Sequence, residues 1–250
     1  MAVFPFFKLR TSLPTLGRSL RELCFPAVCL QCRQHLPAFT VIHLCPACLA
    51  RIRLIESPLC QCCGVEFAGG GDNHFCGPCL AKPPHFSRAR AIFRYDDESA
   101  HLVHAFKYGG KTVARATFCA LAAKVAPLAD LATPDLIIPV PLHRQRLKSR
   151  GFNQALVLAR FLFPNEGRKI AVHLLQRTRW TNPQTTLSGQ ERRRNLVEAF
   201  SISHPEKIAG QRILLIDDVF TTGTTLNECA KVLKKNGAAE VEALTLARVK

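Results

Sequence analysis

The sequence predicts an α/β fold in which a parallel sheet is flanked by helices and preceded by a small cysteine-rich domain. Ten of the 12 cysteines lie at or before residue 79, and eight of them form closely spaced pairs. In the rest of the 250 residues, short apolar segments alternate with amphipathic ones, which is typical of a parallel sheet with both faces covered. This length corresponds to one or two domains with a sizeable core.

The composition and the first residues exclude several classes of protein. With 48% apolar and 21% charged residues, the chain does not have a disordered composition. No apolar run approaches the ~20 residues that span a bilayer. The first 22 residues are basic and lack the apolar core and cleavage site of a signal peptide. We therefore expect a cytoplasmic protein with no membrane span, whose residues 1–23 form a basic amphipathic segment.

The paired cysteines predict two structural zinc sites. Each pair has the spacing C-x-x-C, which closes a tight knuckle, and two knuckles complete the tetrahedral sulfur shell that Zn²⁺ prefers. Twelve residues separate the first pair from the second, and twelve separate the third from the fourth, so we assign consecutive pairs to one ion. The first set is Cys29, Cys32, Cys45 and Cys48, and the second is Cys60, Cys63, Cys76 and Cys79.

Other interpretations of the cysteines are weaker. A disulfide framework needs an oxidising compartment, and a redox motif would be a single pair beside a βαβ unit. Cys24 and Cys62 are left over, and a cross-braced pairing stays open. Gly64 and Gly77 each follow a knuckle cysteine, where a residue that tolerates positive φ is common. We expect closed sites that perform no chemistry, and a segment 24–82 that needs its ions to fold.

After a linker at 81–85, residues 83–250 are predicted to form the α/β domain. Strands are predicted where a short apolar run is bounded by proline, glycine or charged residues. They are Ala91–Tyr95, Asp135–Val140, Ile170–Leu175, Arg212–Ile216 and Val241–Ala247. Helices are predicted where apolar residues recur on one face and a glycine or proline follows. They are Ala100–Phe106, Val113–Val125, Phe152–Phe163 and Thr225–Asn236.

The end of one predicted strand has the residues of a phosphosugar site. An apolar run ends in Asp217 and Asp218, and a short hydroxyl-rich turn hinged on Gly223 leads directly into a helix. Backbone N–H groups, hydroxyls and the positive helix end can cradle a phosphate, and two adjacent carboxylates can each accept a hydrogen bond from a ribose hydroxyl. The turn contains no G-K-[ST] sequence, which disfavours a P-loop NTPase site at this strand end.

This motif resembles that of the type I phosphoribosyltransferases, and the resemblance implies their parallel sheet. It also implies that Asp217 and Asp218 bind the ribose of 5-phosphoribosyl-1-pyrophosphate (PRPP), together with Mg²⁺. The turn that would grip the 5′-phosphate is Thr221, Thr222, Gly223, Thr224 and Thr225. The loop that would hold the pyrophosphate is Val140, Pro141, Leu142 and His143.

The whole of residues 24–250 resembles the ComF family. Besides the motifs above, the resemblance rests on a double zinc ribbon at the N-terminus and on the segment Gly151-Phe152-Asn153-Gln154. It implies a cytoplasmic protein needed when single-stranded DNA enters the cell during natural transformation. Its partners would be PRPP, single-stranded DNA and DNA-uptake proteins. The acceptor of the phosphoribosyl group is not implied.

Basic residues dominate the region after the pyrophosphate loop. The chain carries 34 Lys and Arg against 18 Asp and Glu, a net charge of +16, which favours polyanionic partners. Between His143 and Asn195, 12 Lys and Arg stand against two Glu. The candidates to stabilise a pyrophosphate leaving group are Arg144, Arg146, Arg150, Arg177 and Arg179. Residues 177–195 have the composition of a lid over the site. A solvated basic face or a nucleic-acid patch is the alternative interpretation of this charge.

Two functions are compatible with this sequence. One is an active phosphoribosyltransferase in which positioning and charge stabilisation of the leaving group provide catalysis. The other is a non-catalytic adaptor that handles single-stranded DNA and keeps the PRPP pocket as a sensor. The net charge, the run Arg192-Arg193-Arg194 and Trp180 are compatible with single-strand binding, and zinc ribbons also serve as protein-docking modules.

Overall fold

The structure is a computed structural model that describes residues 27–37, 40–108, 111–179 and 199–250. The predicted segment 1–23, Cys24 and residues 180–195 of the predicted lid lie outside these ranges. Within them, no helix is long and apolar enough to cross a bilayer.

A four-stranded parallel sheet forms the centre of the molecule, with the strand order β1-β6-β5-β2. The strands are β1 (Arg88–Tyr95), β2 (Leu136–Pro139), β5 (Arg212–Phe220) and β6 (Glu240–Val249). A separate antiparallel pair joins β3 (Leu175–Arg177) to β4 (Phe200–Ile202). The prediction of an α/β fold with a parallel sheet is confirmed.

The structure places one predicted strand differently. Residues 170–175 were expected to form a strand, but Ile170 makes a single parallel bridge to Ile137 of β2. The chain then leaves the sheet and forms a strand at Leu175–Arg177, because the backbone there pairs with β4 instead.

Helices cover both faces of the sheet. One face packs against α3 (Asp97–Tyr108), α4 (Lys111–Ala122) and α6 (Gln154–Leu162). The other packs against α7 (Thr224–Lys235) and the β3–β4 pair. The buried residues of α7 are spaced three and four apart along one helix face, as an amphipathic helix requires. They are Leu226, Cys229, Ala230 and Leu233.

The cysteine-rich region packs on the free edge of the sheet, along β1. Its two short helices are α1 (Pro46–Arg51) and α2 (Gly77–Ala81). The remaining helix, α5 (Arg144–Arg150), belongs to the α/β domain and follows β2. Cys29, Cys45 and Cys48 belong to the core on one face, whereas Cys60, Cys63 and Cys79 belong to the core on the other. The two halves of the region therefore straddle β1.

Backbone hydrogen bonds join the cysteine-rich region to β1. Ile55 N donates to Ile92 O at 3.1 Å, Arg94 N donates to Arg53 O at 2.8 Å, and Ala89 N donates to Cys62 O. These bonds satisfy groups that an open edge strand would leave exposed to other chains. The cysteine-rich region and the sheet are thus parts of one packed structure.

Candidate functional site

The two predicted acids lie at the carboxyl edge of the parallel sheet. Because β2 and β5 are parallel, with Pro139 opposite Ile216, the loop after β2 and the acids near the end of β5 meet at that edge. Val140 N donates to Ile216 O at 2.8 Å. Asn153 at the start of α6 donates to Val140 O at 3.0 Å and fixes this loop. The structure therefore brings the predicted pyrophosphate loop beside Asp217 and Asp218.

The predicted phosphate turn connects β5 to α7. Gly223 has φ of +71° and is the N-cap of α7. A Cβ at this position would lie 2.5 Å from Cζ of Phe220, so both the backbone conformation and the available space require glycine. The hydroxyls of Thr222 and Thr224 are 2.8 Å apart, while Thr221 and Thr222 are exposed. Thr224 N donates to Thr222 Oγ1 at a long 3.5 Å, and the N-terminal amides of a 12-residue helix suit an anion.

The two adjacent carboxylates differ in their surroundings. Burial, and then the negative charge of Asp218, raise the pKa of Asp217 to about 7. Asp217 Oδ1 accepts a hydrogen bond from the backbone N–H of Asp218 at 2.8 Å. Asp218 faces a cation instead, since Nζ of Lys107 lies 3.1 Å from its Oδ2. The pair thus combines one desolvated carboxylate with one that already has a counter-ion.

Basic side chains surround a cavity beside the acids. This cavity of about 360 Å³ is lined by Lys107, Arg146, Ser149, Arg150 and Phe152. Lys107 belongs to the last turn of α3, and Arg146 and Arg150 belong to α5. Lys107 also contacts Asp218 of the acid pair. A small polyanion that touches both Asp218 and this cavity would meet strong positive charge.

The five candidate arginines divide into two groups. Arg146 and Arg150 line the cavity. Arg177 does not line the cavity, but it is half-buried within electrostatic reach of Arg146 and Asp217. Burial, and then the positive charge of Arg146, lower the pKa of Arg177, while Asp217 acts in the opposite direction. Arg144 and Arg179 are exposed at the surface. His143 caps α5 and accepts a hydrogen bond from Gln145 N at 3.3 Å.

Sequence reasoning missed Lys107. The residue lies in the last turn of a helix that the sequence predicted only as far as Phe106, just before Gly109 and Gly110. A cation that ends a helix at the carboxyl edge of a parallel sheet is the signal that could have identified it. Nothing in the local sequence indicates its partner, Asp218, which lies 111 residues further along the chain.

The structure groups the eight paired cysteines into two clusters of four. They are Cys29, Cys32, Cys45 and Cys48, and Cys60, Cys63, Cys76 and Cys79; within each, the sulfur atoms lie within 4.8 Å of one another. The Sγ atoms of Cys32 and Cys45 are 3.7 Å apart, as are those of Cys63 and Cys76. Zn–S bonds of about 2.3 Å in a tetrahedron require about 3.8 Å. This grouping is sequential rather than cross-braced, and each cluster fits one structural Zn²⁺.

Backbone amides stabilise a thiolate at one position of each cluster. In the second cluster, Cys60 Sγ accepts from Cys63 N at 3.4 Å and from Cys76 N at 3.3 Å. Burial raises the pKa of Cys60, but these donors together outweigh it and bring the pKa to about 6. Cys29 has the corresponding position in the first cluster, and its pKa is also about 6. Thiolates at these positions are the form that binds zinc.

The prediction that the glycines beside the clusters need positive φ is correct for one of the two. Gly64 has φ of +69°, and a Cβ there would lie 2.5 Å from Ala89 O of β1, so the predicted glycine requirement holds. Gly77 was expected to need positive φ as well; instead it begins α2, with open space around it. Cys62 lies outside both clusters, buried, with Sγ 3.8 Å from Phe86 O.

Comparison with known proteins agrees with this architecture. Residues 150–250 match the family model "Phosphoribosyl transferase domain", and residues 20–80 match "Double zinc ribbon domain". The DNA utilization protein YhgH of Salmonella typhi is 34% identical over 230 residues, 90% of this chain and 99% of that protein. The competence protein F of Haemophilus influenzae is 33% identical over 231 residues, 88% of this chain and 96% of its own.

A solved structure of Bacillus subtilis glutamine phosphoribosylpyrophosphate amidotransferase is also similar, with 18% sequence identity and a TM-score of 0.32. The alignment covers 62% of this chain and 28% of the amidotransferase chain. That likeness is too low to carry an inference about function. The family-model matches and the extent of the similarity to competence protein F lead to one conclusion. The chain belongs to the ComF family, with a double zinc ribbon followed by a phosphoribosyltransferase domain.

Proposed function

We propose that this protein binds PRPP at the carboxyl edge of its sheet and acts as a phosphoribosyltransferase-like protein in DNA uptake. The observation that carries the proposal is the acid pair of β5 followed directly by the phosphate turn, beside a cavity lined by three cations. An acid pair suits a ribose, the turn suits its 5′-phosphate, and the cations suit its pyrophosphate. PRPP carries these three groups in one molecule.

Each end of PRPP has a candidate partner in this arrangement. Asp217 and Asp218 would accept hydrogen bonds from the ribose hydroxyls, and the turn Thr221–Thr225 would hold the 5′-phosphate. Lys107, Arg146 and Arg150 would neutralise the pyrophosphate, with the loop Val140–His143 against its other side. Mg²⁺ fits the donor set, since it prefers carboxylate and phosphate oxygens, and when bound it would offset the charge of the pyrophosphate.

The chemistry that follows is loss of pyrophosphate from C1 of the ribose. The C1–O bond breaks, the electron pair leaves with pyrophosphate, and positive charge develops on the ring until an acceptor nitrogen attacks C1. Arg146, Arg150 and Arg177 would stabilise the departing negative charge by fixed electrostatics. Orientation of the donor by the acid pair and the turn would supply the rest.

The exposed basic residues favour a second activity beside PRPP binding. Arg144 and Lys148 are exposed on the same helix as Arg146 and Arg150 of the cavity, so a single-stranded polyanion could bind across the mouth of the site. Arg179 is exposed as well. The relatives' names, competence protein F and DNA utilization protein, support a role with DNA. A PRPP-sensing adaptor would use both surfaces without transferring the phosphoribosyl group.

The experiment that separates the enzyme from the adaptor measures pyrophosphate release and PRPP binding in parallel. Zinc-loaded protein would be incubated with PRPP, Mg²⁺ and a panel of nitrogenous bases, with and without single-stranded DNA, and an Arg146→Met variant would serve as the control. Release that depends on one acceptor and is lost in the variant supports the enzyme. Calorimetric PRPP binding with no release supports the sensor, and no binding to wild-type protein contradicts the proposed function itself.

A further inference from the structure

Arg248, near the end of β6, lies between the second cysteine cluster and the phosphate turn. The residue is only 9% exposed. Its Nη2 is 3.5 Å from Cys63 Sγ, and its Cζ is 4.1 Å from the centre of the Phe220 ring. One buried guanidinium therefore contacts a candidate zinc ligand and an aromatic ring that lies beside the turn.

The Phe220 ring connects Arg248 to the turn, because it packs against both. The ring is buried and packs edge-on against Phe86, with centroids 6.2 Å apart. Its far end fills the space beside Gly223 so closely that a Cβ there would lie 2.5 Å away. Any displacement of the ring would therefore remove the packing that fixes Gly223 at the N-cap of α7.

The charge of Arg248 has an unusual counter-charge. In the described part of the chain, its Nε and Nη1 have no hydrogen-bond partner, and its Nη2 reaches only Sγ of Cys63 among the side chains of the second cluster. A zinc ion with four thiolates carries net negative charge and can neutralise a guanidinium within hydrogen-bond reach. A buried guanidinium without such a partner is costly, so loss of the ion would favour its displacement.

We propose that Arg248 is a positioning residue that makes the order of the phosphate turn depend on metal in the cluster Cys60, Cys63, Cys76 and Cys79. The metal–thiolate cluster would neutralise and orient Arg248, and Arg248 packs on the Phe220 ring through a cation–π contact. The Phe220 ring in turn packs against the turn at Gly223. The first cluster has no such connection in the part of the chain that the structure describes. The link between metal and turn does not require that PRPP be the ligand; only the affinity measurement below rests on the proposed function.

The test is hydrogen exchange of the full-length, zinc-loaded protein, followed at the amides of Phe220–Ala230. Arg248→Met should retain two zinc equivalents, yet exchange in this segment should become about tenfold faster, because a buried cation–π contact is lost. Arg94→Met is the matched control, since Arg94 also joins the second ribbon to the sheet but through Glu66 at 2.9 Å. Arg94→Met should leave exchange in this segment unchanged.

A double-variant cycle decides whether the metal acts through Arg248. Cys79→Ser, which removes a ligand other than the sulfur that contacts Arg248, should accelerate exchange in Phe220–Ala230, whereas Cys48→Ser should not. Cys79→Ser should add little in the Arg248→Met background. Equal acceleration in both backgrounds, or wild-type exchange in Arg248→Met, would overturn the proposal. If Arg248→Met does not fold, Arg248→Lys keeps the charge, loses the planar stacking, and is judged by the same criteria.

A metal measurement and an affinity measurement complete the test. In the Cys48→Ser background, which keeps only the second ion, Arg248→Met should bind zinc about tenfold more weakly in competition with a chromogenic chelator, since the linkage is reciprocal. PRPP affinity should fall about tenfold in Arg248→Met and not in Arg94→Met. Absence of PRPP binding in wild-type protein would contradict the proposed function, while the exchange data would still decide the role of Arg248.

Discussion

At the scale of single residues, the site combines groups whose charges conflict. Asp217 is desolvated beside a second carboxylate, and Lys107 and the arginines gather positive charge within reach of that pair. Such arrangements lower the stability of the unliganded protein and are offset when a ligand of matching charge binds. Single substitutions should therefore change the stability of the unliganded protein and its affinity for the ligand in opposite directions.

Asp217→Asn should stabilise the unliganded protein and weaken PRPP binding. The folded carboxyl has a pKa of about 7, against an ordinary value of 3.8 for an aspartate. Between these values the folded form holds a proton that the unfolded form has lost, so this residue lowers stability as pH rises from about 4 to about 7. We expect the free energy of unfolding to rise by ~1–3 kcal/mol at pH 8 and by less at pH 5.

Urea denaturation at both pH values checks this expectation. Asp135→Asn is the control of opposite sign, because hydrogen bonding to Arg212 lowers the pKa of Asp135. That variant should not be stabilised at pH 8. Asp217→Asn with no gain in stability at pH 8 would show that the carboxyl is not desolvated as described.

Lys107→Met should weaken pyrophosphate binding more than ribose 5-phosphate binding. Lys107 lines the basic cavity and contacts Asp218, whereas the phosphate turn lies at the start of α7. Loss of one charge-assisted contact of about 1.5–3 kcal/mol corresponds to an affinity ten- to over a hundredfold lower for pyrophosphate. Lys235→Met is the control, because Lys235 is exposed in the last turn of α7, and it should change neither affinity. Equal losses for both ligands, measured by calorimetry, would contradict separate subsites.

At the scale of elements, the turn between β5 and α7 depends on one glycine. Gly223→Ala would adopt a left-handed conformation and also meet Phe220 at 2.5 Å. Gly210→Ala is a matched control, since Gly210 has φ of +74° with nothing within 4 Å. We expect a loss of ~1–2 kcal/mol of stability for Gly210→Ala from the conformation alone, and a loss of ~2–4 kcal/mol for Gly223→Ala with the added clash.

Ribose 5-phosphate binding distinguishes the two variants further. Gly223→Ala should abolish measurable binding, because the turn must move to admit the methyl group, and Gly210→Ala should bind as wild type does. The measurements are thermal denaturation and calorimetry on both proteins. Wild-type affinity in Gly223→Ala would show that the turn does not hold the phosphate.

Local patterns predicted the elements and the ligand-bearing motifs, whereas contacts between distant segments were not predictable. The apolar run before Asp217 identified β5, and the C-x-x-C spacing identified both clusters, because each signal lies within a few residues. The strand expected at 170–175 failed because its pairing partner, β4, lies about 25 residues away. The roles of Lys107 and Arg248 were not predicted for the same reason, because their partners Asp218 and Cys63 are distant from them in sequence.

At the scale of the whole molecule, the two cysteine clusters hold the ribbons on either side of β1. We predict two tightly bound zinc ions per chain, measured by elemental analysis of the purified protein. Cys48→Ser and Cys63→Ser should each leave one ion, because each removes a ligand from a different cluster. One ion or none in the wild-type protein, or loss of both in either variant, would contradict two independent sites.

The basic surface as a whole should bind single-stranded DNA without sequence preference. The net charge of +16 and the 12-to-two imbalance between His143 and Asn195 motivate this expectation. Counterion release predicts that log K falls with log salt at a slope of about −0.7 for each phosphate neutralised. Fluorescence anisotropy across a salt series measures it, with PRPP as a competitor to show whether the two ligands share arginines. An affinity independent of salt, or absent at low salt, would exclude this activity.

The most direct test of the account is the affinity of PRPP for the wild-type protein and for the Asp217→Asn/Asp218→Asn double variant. Calorimetry with and without Mg²⁺ would be used, and zinc content and thermal denaturation would establish that the variant is folded. Two lost charge-assisted hydrogen bonds predict an affinity lower by about one to four orders of magnitude. Removal of two negative charges beside a polyanion reduces that loss where Mg²⁺ is absent. An unchanged affinity under both conditions would contradict PRPP binding by the acid pair.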